Sequence, residues 1–288
     1  TRSVPVLGIT GTGGAGKSSL TDELLARFLR FFPDRRIAVV AMDPTRRRSG
    51  GALLGDRIRM NALDSDRVFM RSLATRRQHM ATSGVLGDAL GLLRVAGFDL
   101  VVVETAGIGQ SDTEIVDQVD LSLYVMTAEY GAPSQLEKID MLDFADFVVL
   151  NKFEKRGAED ALRDVRKQWR RNHPESFESP DSDVPVYPTI ASQFNDAGVN
   201  RLFVDLCTRL TQTGSVAWTP QGVAPLGLPR RAALVPSERV RYLAEIAEAG
   251  RATHARITAE CDAAKRAEAL HAALGELGCA GRPALFSR

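Results

Sequence analysis

Short apolar runs alternate along this chain with longer stretches in which apolar residues recur every three or four positions. Residues 4–10, Val-Pro-Val-Leu-Gly-Ile-Thr, read as a short buried strand. Residues 19–29 carry Leu20, Leu24, Leu25, Phe28 and Leu29 at the spacing of one helix face. The rhythm continues with strands predicted at 36–42 and 68–73, a helix at 84–96, and a near-continuous apolar strand at 98–104. Two further strands, 121–126 and 147–151, flank a helix at 134–142. A charged helix at 158–171, a strand at 184–190 and a closing helix at 199–210 complete the series. The prolines of that last strand suit a sheet edge or the strand ends, because proline cannot donate to a ladder. Uninterrupted apolar strands alternating with helices predict an α/β fold, a mostly parallel sheet with helices on both faces. Ligands in such sheets bind at the carboxyl ends of the strands.

The pattern breaks after Thr213. Residues 214–236 hold Pro220, Pro225, Pro229 and Pro236 among several glycines, and read as a linker. Residues 237–277 are rich in Ala, Glu and Arg with leucines at helical spacing, and Ser237 is a suitable N-cap. The expected organisation is therefore a nucleotide-binding domain over 1–213 and a linker with a C-terminal helical arm over 214–288.

The first strand-to-helix turn says why a nucleotide is expected. Gly11-Thr12-Gly13-Gly14-Ala15-Gly16-Lys17-Ser18 fits G-x-x-x-x-G-K-[ST], the phosphate-binding loop of nucleotide hydrolases. Its glycines let backbone N–H groups turn inward and approach phosphate oxygens without a Cβ in the way. Gly13, Gly14, Ala15, Gly16, Lys17, Ser18 and Ser19 are the candidate phosphate ligands. Lys17 is expected to reach the β- and γ-phosphates and Ser18 to ligate Mg²⁺. The start of the following helix favours the same anion.

Three more stretches lie at predicted strand ends. Glu104-Thr105-Ala106-Gly107 offers an acid for Mg²⁺ and a glycine N–H for the γ-phosphate, with 108–113 as a segment that responds when that phosphate leaves. Asn151-Lys152-Phe153-Glu154 resembles the Asn-Lys-x-Asp guanine reader, with Glu in place of Asp. A carboxylate there accepts two hydrogen bonds from guanine, whereas adenine leaves it unpaired at a cost of about 1–3 kcal/mol. The longer Glu154 keeps that chemistry and changes its reach. Ala191 and Ser192 are expected to offer backbone N–H groups to the guanine carbonyl. Asp43 and Asp56 bracket a glycine- and arginine-rich loop and are further candidate Mg²⁺ ligands. The predicted catalytic set is Lys17, Glu104 and Asp56. Arg46, Arg47, Arg48, Arg57, Arg59 and Arg76 are candidates for stabilising transition-state charge.

A formal net charge of +1 argues against a nucleic-acid partner held by bulk charge. Three dispersed cysteines without a C-x-x-C pair predict reduced thiols and a cytoplasmic setting. No apolar run approaches the roughly 20 residues that span a bilayer, so no membrane role is expected.

Taken together, these motifs resemble the metallochaperone GTPases, whose third motif opens with Glu rather than Asp. To the phosphate loop they add Asp43-Pro44-Thr45, the stretch Gly50-Gly51-Ala52-Leu53-Leu54-Gly55-Asp56-Arg57-Ile58-Arg59-Met60, Glu104-Thr105-Ala106-Gly107 and Asn151-Lys152-x-Glu154. Within that group the chain is similar to the G-protein chaperones of adenosylcobalamin-dependent acyl-CoA mutases, and most of all to the G domains of fused isobutyryl-CoA mutases. The resemblance implies a GTPase that uses GTP, GDP and Mg²⁺, and meets adenosylcobalamin only through a mutase partner. Such a GTPase gates loading of that partner's cofactor and protects the enzyme. It further implies a homodimer, and a switch over 128–142 that answers to the partner. Two other readings are a nickel-enzyme metal-insertion GTPase, which the absence of a Cys-x-x-Cys or His-rich tract disfavours, and a small-molecule kinase, against which Asn151-Lys152-x-Glu154 argues.

Overall fold

The computed structural model describes residues 4–44, 60–75, 81–105, 115–131, 136, 139–174, 177–229 and 242–276. Seven strands form one sheet: β1 (Val6–Gly11), β2 (Ile37–Pro44), β3 (Val68–Thr75), β4 (Leu100–Glu104), β5 (Leu121–Thr127), β6 (Phe147–Asn151) and β7 (Val186–Pro188). Their order is β3-β2-β4-β1-β5-β6-β7. Every pairing is parallel. β1 therefore lies at the centre with β4 and β5 on either side, and all the carboxyl ends share one rim.

Why these segments become central strands follows from their composition. Val101, Val102 and Val103 are all buried, as are Val148, Val149 and Leu150. Strands covered on both faces need no polar alternation. Successive side chains go to opposite cores. Leu7 and Ile9 enter a cluster with Leu20, Leu24 and Phe28 of α1 (Lys17–Phe31) and Leu202, Phe203 and Leu206 of a later helix. Val6 and Val103 enter another, beside Leu86 and Leu90 of α2 (Ala81–Val95). A third cluster joins Met126 and Leu150 to Leu162, Val165 and Trp169. The short α3 (Met141–Phe144) and α4 (Ala158–Asn172) cover that end, and α5 (Ala197–Thr213) lies with α1 on the opposite face. The helix expected at 134–142 falls partly outside the described residues. What is described there is Leu136 and residues 139–142, which lead into the single turn of α3.

β7 is short and lies at the edge, as its prolines predict. α5 is capped by Asp196, whose side chain accepts from the Val199 N–H. Burial raises the Asp196 pKa from its ordinary value, against the backbone donors that lower it.

One sequence expectation is corrected here. The stretch after Thr213 does not begin as a linker. Val216 and Trp218 are buried in the α1–α5 core. The indole stands 5.3 Å from the Phe28 ring and 5.0 Å from Phe32. The Trp218 backbone N–H donates to Thr211 Oγ1 at 2.8 Å. Edge-to-face rings bury large apolar area in favourable geometry, and two apolar residues among prolines and glycines suffice to dock the segment. The compact unit extends to Arg231, and residues 232–288 form a second unit. That second unit is described by one helix, α6 (Tyr242–Glu276), along which Ile246, Ile257 and Leu270 are exposed. No helix among the described residues is long and apolar enough to cross a membrane.

Candidate functional site

The loop between β1 and α1 has the backbone its sequence demands. Gly11, Gly14 and Gly16 adopt φ of 137°, 74° and 91°, conformations that side chains rarely tolerate. At Gly16 a Cβ would also stand 2.6 Å from Asn151 Nδ2, and at Gly11 it would strike the Val125 carbonyl at 1.9 Å. At Gly14 it would meet open space, so this side of the loop is accessible. The Lys17 ammonium folds back over the loop and donates to the carbonyls of Gly11 at 3.0 Å and Thr12 at 3.2 Å. Lys17 is 8 % exposed. Thr12 Oγ1 is buried with no hydrogen-bond partner, a polar atom left over in the cradle.

β4 runs beside β1, and this adjacency brings Glu104 to the first turn of α1. Ser18 Oγ donates to Glu104 Oε1 at 2.6 Å, and Thr21 Oγ1 lies 3.0 Å from Oε2. Next door, the Thr105 hydroxyl donates to Thr10 Oγ1 at 2.8 Å and locks the two strand ends together. Asp43 is the penultimate residue of β2, where its backbone is paired with Ala74; its side chain lies outside what is described. Asp56, Gly107, the segment 108–113 and the arginines at 46–48, 57, 59 and 76 lie outside the described residues. Among the described residues no group of three or more His, Cys, Asp or Glu could hold a metal.

The base-reading tetrapeptide follows β6. Asn151 is buried, and its amide joins three elements. Nδ2 donates to the Ala15 carbonyl of the phosphate loop at 2.8 Å, and Oδ1 accepts from Thr189 Oγ1 at 3.1 Å and from the Ala191 N–H at 3.0 Å. Lys152 has φ of 58°, unusual for a side chain of its size, and its ammonium donates to the Gly14 carbonyl at 2.7 Å. Phe153 N–H donates to the Thr189 carbonyl at 3.0 Å, which holds the loop against the chain after β7. Glu154 is exposed, as is Ser192. The expectation that Ala191 offers its N–H to a base is amended by this geometry, because that N–H is engaged by Asn151.

The structure thus gathers Lys17, Ser18, Glu104, Asn151 and Lys152 around one loop. Sequence reasoning missed Thr21, Thr189 and the pair Thr10–Thr105. Thr21 carried a signal: it is a hydroxyl among buried leucines, three positions after Ser18 on the same helix side.

An all-parallel sheet whose central strand feeds a Gly-Lys-Ser loop into a helix, with an acid from the neighbouring strand beside the serine, defines a P-loop nucleotide-binding protein. The model of the family described as methylmalonyl Co-A mutase-associated GTPase MeaB matches residues 2–216. The chain belongs to that family. It is 54% identical over 288 residues to a fused isobutyryl-CoA mutase of Cupriavidus metallidurans, an alignment that covers 97% of this chain and 26% of the relative. To the fused isobutyryl-CoA mutase of Geobacillus kaustophilus it is 52% identical over 265 residues, covering 92% and 24%. The chain spans about a quarter of the length of these relatives. Among solved structures, HypB from Helicobacter pylori in complex with nickel is similar in fold, with a TM-score of 0.51 at 16% identity over 74% of this chain and 90% of that one.

Proposed function

We propose that this chain binds guanine nucleotides, hydrolyses GTP, and uses that cycle to gate cofactor loading in an adenosylcobalamin-dependent acyl-CoA mutase. Isobutyryl-CoA mutase is the specific partner proposed, on the same polypeptide or a separate one. The observation that carries this reading is the Asn151 side chain, which ties the tetrapeptide after β6 to the Ala15 carbonyl of the phosphate loop. Phosphate and base recognition are then parts of one rigid cradle. The sequence relatives named as mutases supply the partner class.

Catalysis in such a site is positioning and charge neutralisation. The inward N–H groups of Gly13, Gly14, Ala15, Gly16 and Ser19 would hold phosphate oxygens, and Lys17 would exchange its two loop carbonyls for the β- and γ-phosphates. The Gly107 N–H would take the γ-phosphate. Glu154 and Lys152 would bind guanine from opposite sides, with Ser192 beside it. The donor atoms Ser18 Oγ and the Glu104 carboxylate are hard oxygens and fit Mg²⁺. Ser18, Glu104, Asp43 and Asp56 would hold it, and when bound it neutralises charge on the transferring phosphoryl group. Glu104 and Asp56 would orient the attacking water. The protein is proposed to act in the cytoplasm as a homodimer.

Calorimetry with GDP and ADP, each with and without Mg²⁺, tests the nucleotide reading. Binding of GDP in preference to ADP is expected, and absence of GDP binding rejects it. GTP turnover measured with and without an isobutyryl-CoA mutase tests the coupling; the partner is expected to accelerate turnover, and equal rates reject it.

A further inference from the structure

Glu104 is held from two sides. Ser18 donates to Oε1 at 2.6 Å, while Thr21, one turn further along α1, lies 3.0 Å from Oε2. Both partners of the second contact are deeply buried, Thr21 at 1 % exposure and Glu104 at 5 %. We propose that Thr21 is a positioning residue for the GTPase site: its hydroxyl fixes the Glu104 carboxylate so that Oε1 stays with Ser18, where the two would share a cation. This rests on the function proposed above.

The proton count supports the assignment. A threonine hydroxyl has one proton to give. Two acceptors lie 3.0 Å away, Glu104 Oε2 and the Lys17 carbonyl. The Lys17 carbonyl already faces the Thr21 backbone N–H four residues on, as the helix repeat requires. A carboxylate oxygen is a stronger acceptor than an amide carbonyl that already holds a hydrogen bond, so the shared proton favours Glu104. Packing gives an independent argument. Leu20, Leu24 and Leu25 around Thr21 are buried in the α1 core. A hydroxyl there costs free energy unless it is bonded, and valine would fill the same volume without that cost. The Lys17 carbonyl alone would satisfy such a hydroxyl; the contact beyond that local one is to Glu104 Oε2.

The acid at this strand end is Glu, with one more rotatable bond than Asp. A carboxylate on a longer stem loses more rotamer freedom when it is fixed. A second anchor on Oε2 restricts that freedom before a ligand arrives. Hydrogen-bonding partners of metal-binding side chains act in this way, and their loss weakens metal affinity or activity about 10–100-fold.

The test uses the full chain and three variants, Thr21→Val, Thr21→Ala and Thr21→Ser. GDP affinity without Mg²⁺ is read by calorimetry, then the Mg²⁺ concentration that half-saturates its tightening, then kcat and KM for GTP. For Thr21→Val and Thr21→Ala the Mg²⁺ requirement is expected to rise about tenfold, with a fall in kcat. Mg²⁺-free GDP affinity and KM are expected to stay at wild-type values. Thr21→Ser, which keeps the hydroxyl, is expected to restore the wild-type Mg²⁺ requirement. A wild-type Mg²⁺ requirement in the valine and alanine variants overturns the proposal. So does a serine variant as impaired as valine, because that result assigns the effect to packing. A wild-type chain that binds no GDP would instead remove the functional reading beneath it.

Discussion

At the phosphate end of the cradle, Glu104 is buried and held by two hydroxyls, and Lys17 is folded onto two loop carbonyls. At the base end, Glu154 and Ser192 stand exposed, and the order there comes from the backbone of two loops pinned by Asn151. The first end is set by strand adjacency: β4 is hydrogen-bonded to β1, so its terminal acid has nowhere else to go. The second is set by a side chain that reaches across from β6 to a loop following a strand two places away. Phosphates are recognised mainly by backbone and fixed charge, which a packed sheet can prepare in advance. A base is recognised by its polar edge, which needs side chains free to meet it. The two ends should therefore fail differently when altered.

The largest effect is expected at the phosphate end. Lys17→Ala removes the one buried cation of the described loop and should lower kcat/KM for GTP on the order of 10²-fold or more. Phosphate release under steady-state conditions checks it, and a variant with wild-type turnover would break the assignment of the loop. One of the carbonyls Lys17 leaves, Gly11, ends the buried strand β1, so thermal unfolding without nucleotide is read alongside to separate a folding defect from lost turnover.

Asn151→Ala should behave otherwise. It strips a buried amide from the Ala15 carbonyl, the Thr189 hydroxyl and the Ala191 N–H at once. Leaving a buried polar group unpaired costs about 1–3 kcal/mol and three groups lose a partner here, so a loss of at least about 3 kcal/mol in stability is expected. Thermal unfolding without nucleotide reads it, and GDP affinity should fall in the same variant. A change in affinity with unaltered stability would mean that the link between the two ends is a contact without structural weight.

How far the sequence foretold this depends on the kind of residue. The Gly-Lys-Ser loop was legible because glycine at positive φ is a backbone requirement written directly in residue type, and the structure uses Gly11, Gly14 and Gly16 in that way. The apolar strands were legible for a similar reason, since burial on both faces leaves no polar positions. Trp218 was not. A lone tryptophan among prolines gives no periodicity, and its docking depends on the rings of Phe28 and Phe32, which are far from it in sequence. Thr21 was overlooked because a threonine inside an amphipathic helix reads as polar-face filler until β4 is placed beside it. The engagement of the Ala191 N–H by Asn151 is likewise a product of three strand ends meeting, which no tetrapeptide records.

The smallest expected effect sharpens the comparison most. Glu154 is exposed, so exchanging it should leave stability within about 0.5 kcal/mol of wild type. Its proposed work is to accept two hydrogen bonds from guanine. Glu154→Gln keeps the length, removes the charge, and turns an NH₂ group toward guanine's own donors. A loss of about 1–1.5 kcal/mol, roughly tenfold in GDP affinity, is expected with ADP affinity unchanged. Glu154→Asp keeps the charge and shortens the reach by one methylene, and should retain the guanine preference with a smaller loss. Calorimetric titration of both nucleotides against both variants separates charge from reach. If Glu154→Gln keeps the full preference for GDP, base recognition must reside in the Asn151-anchored backbone instead, and the two ends of the cradle would then obey the same rule.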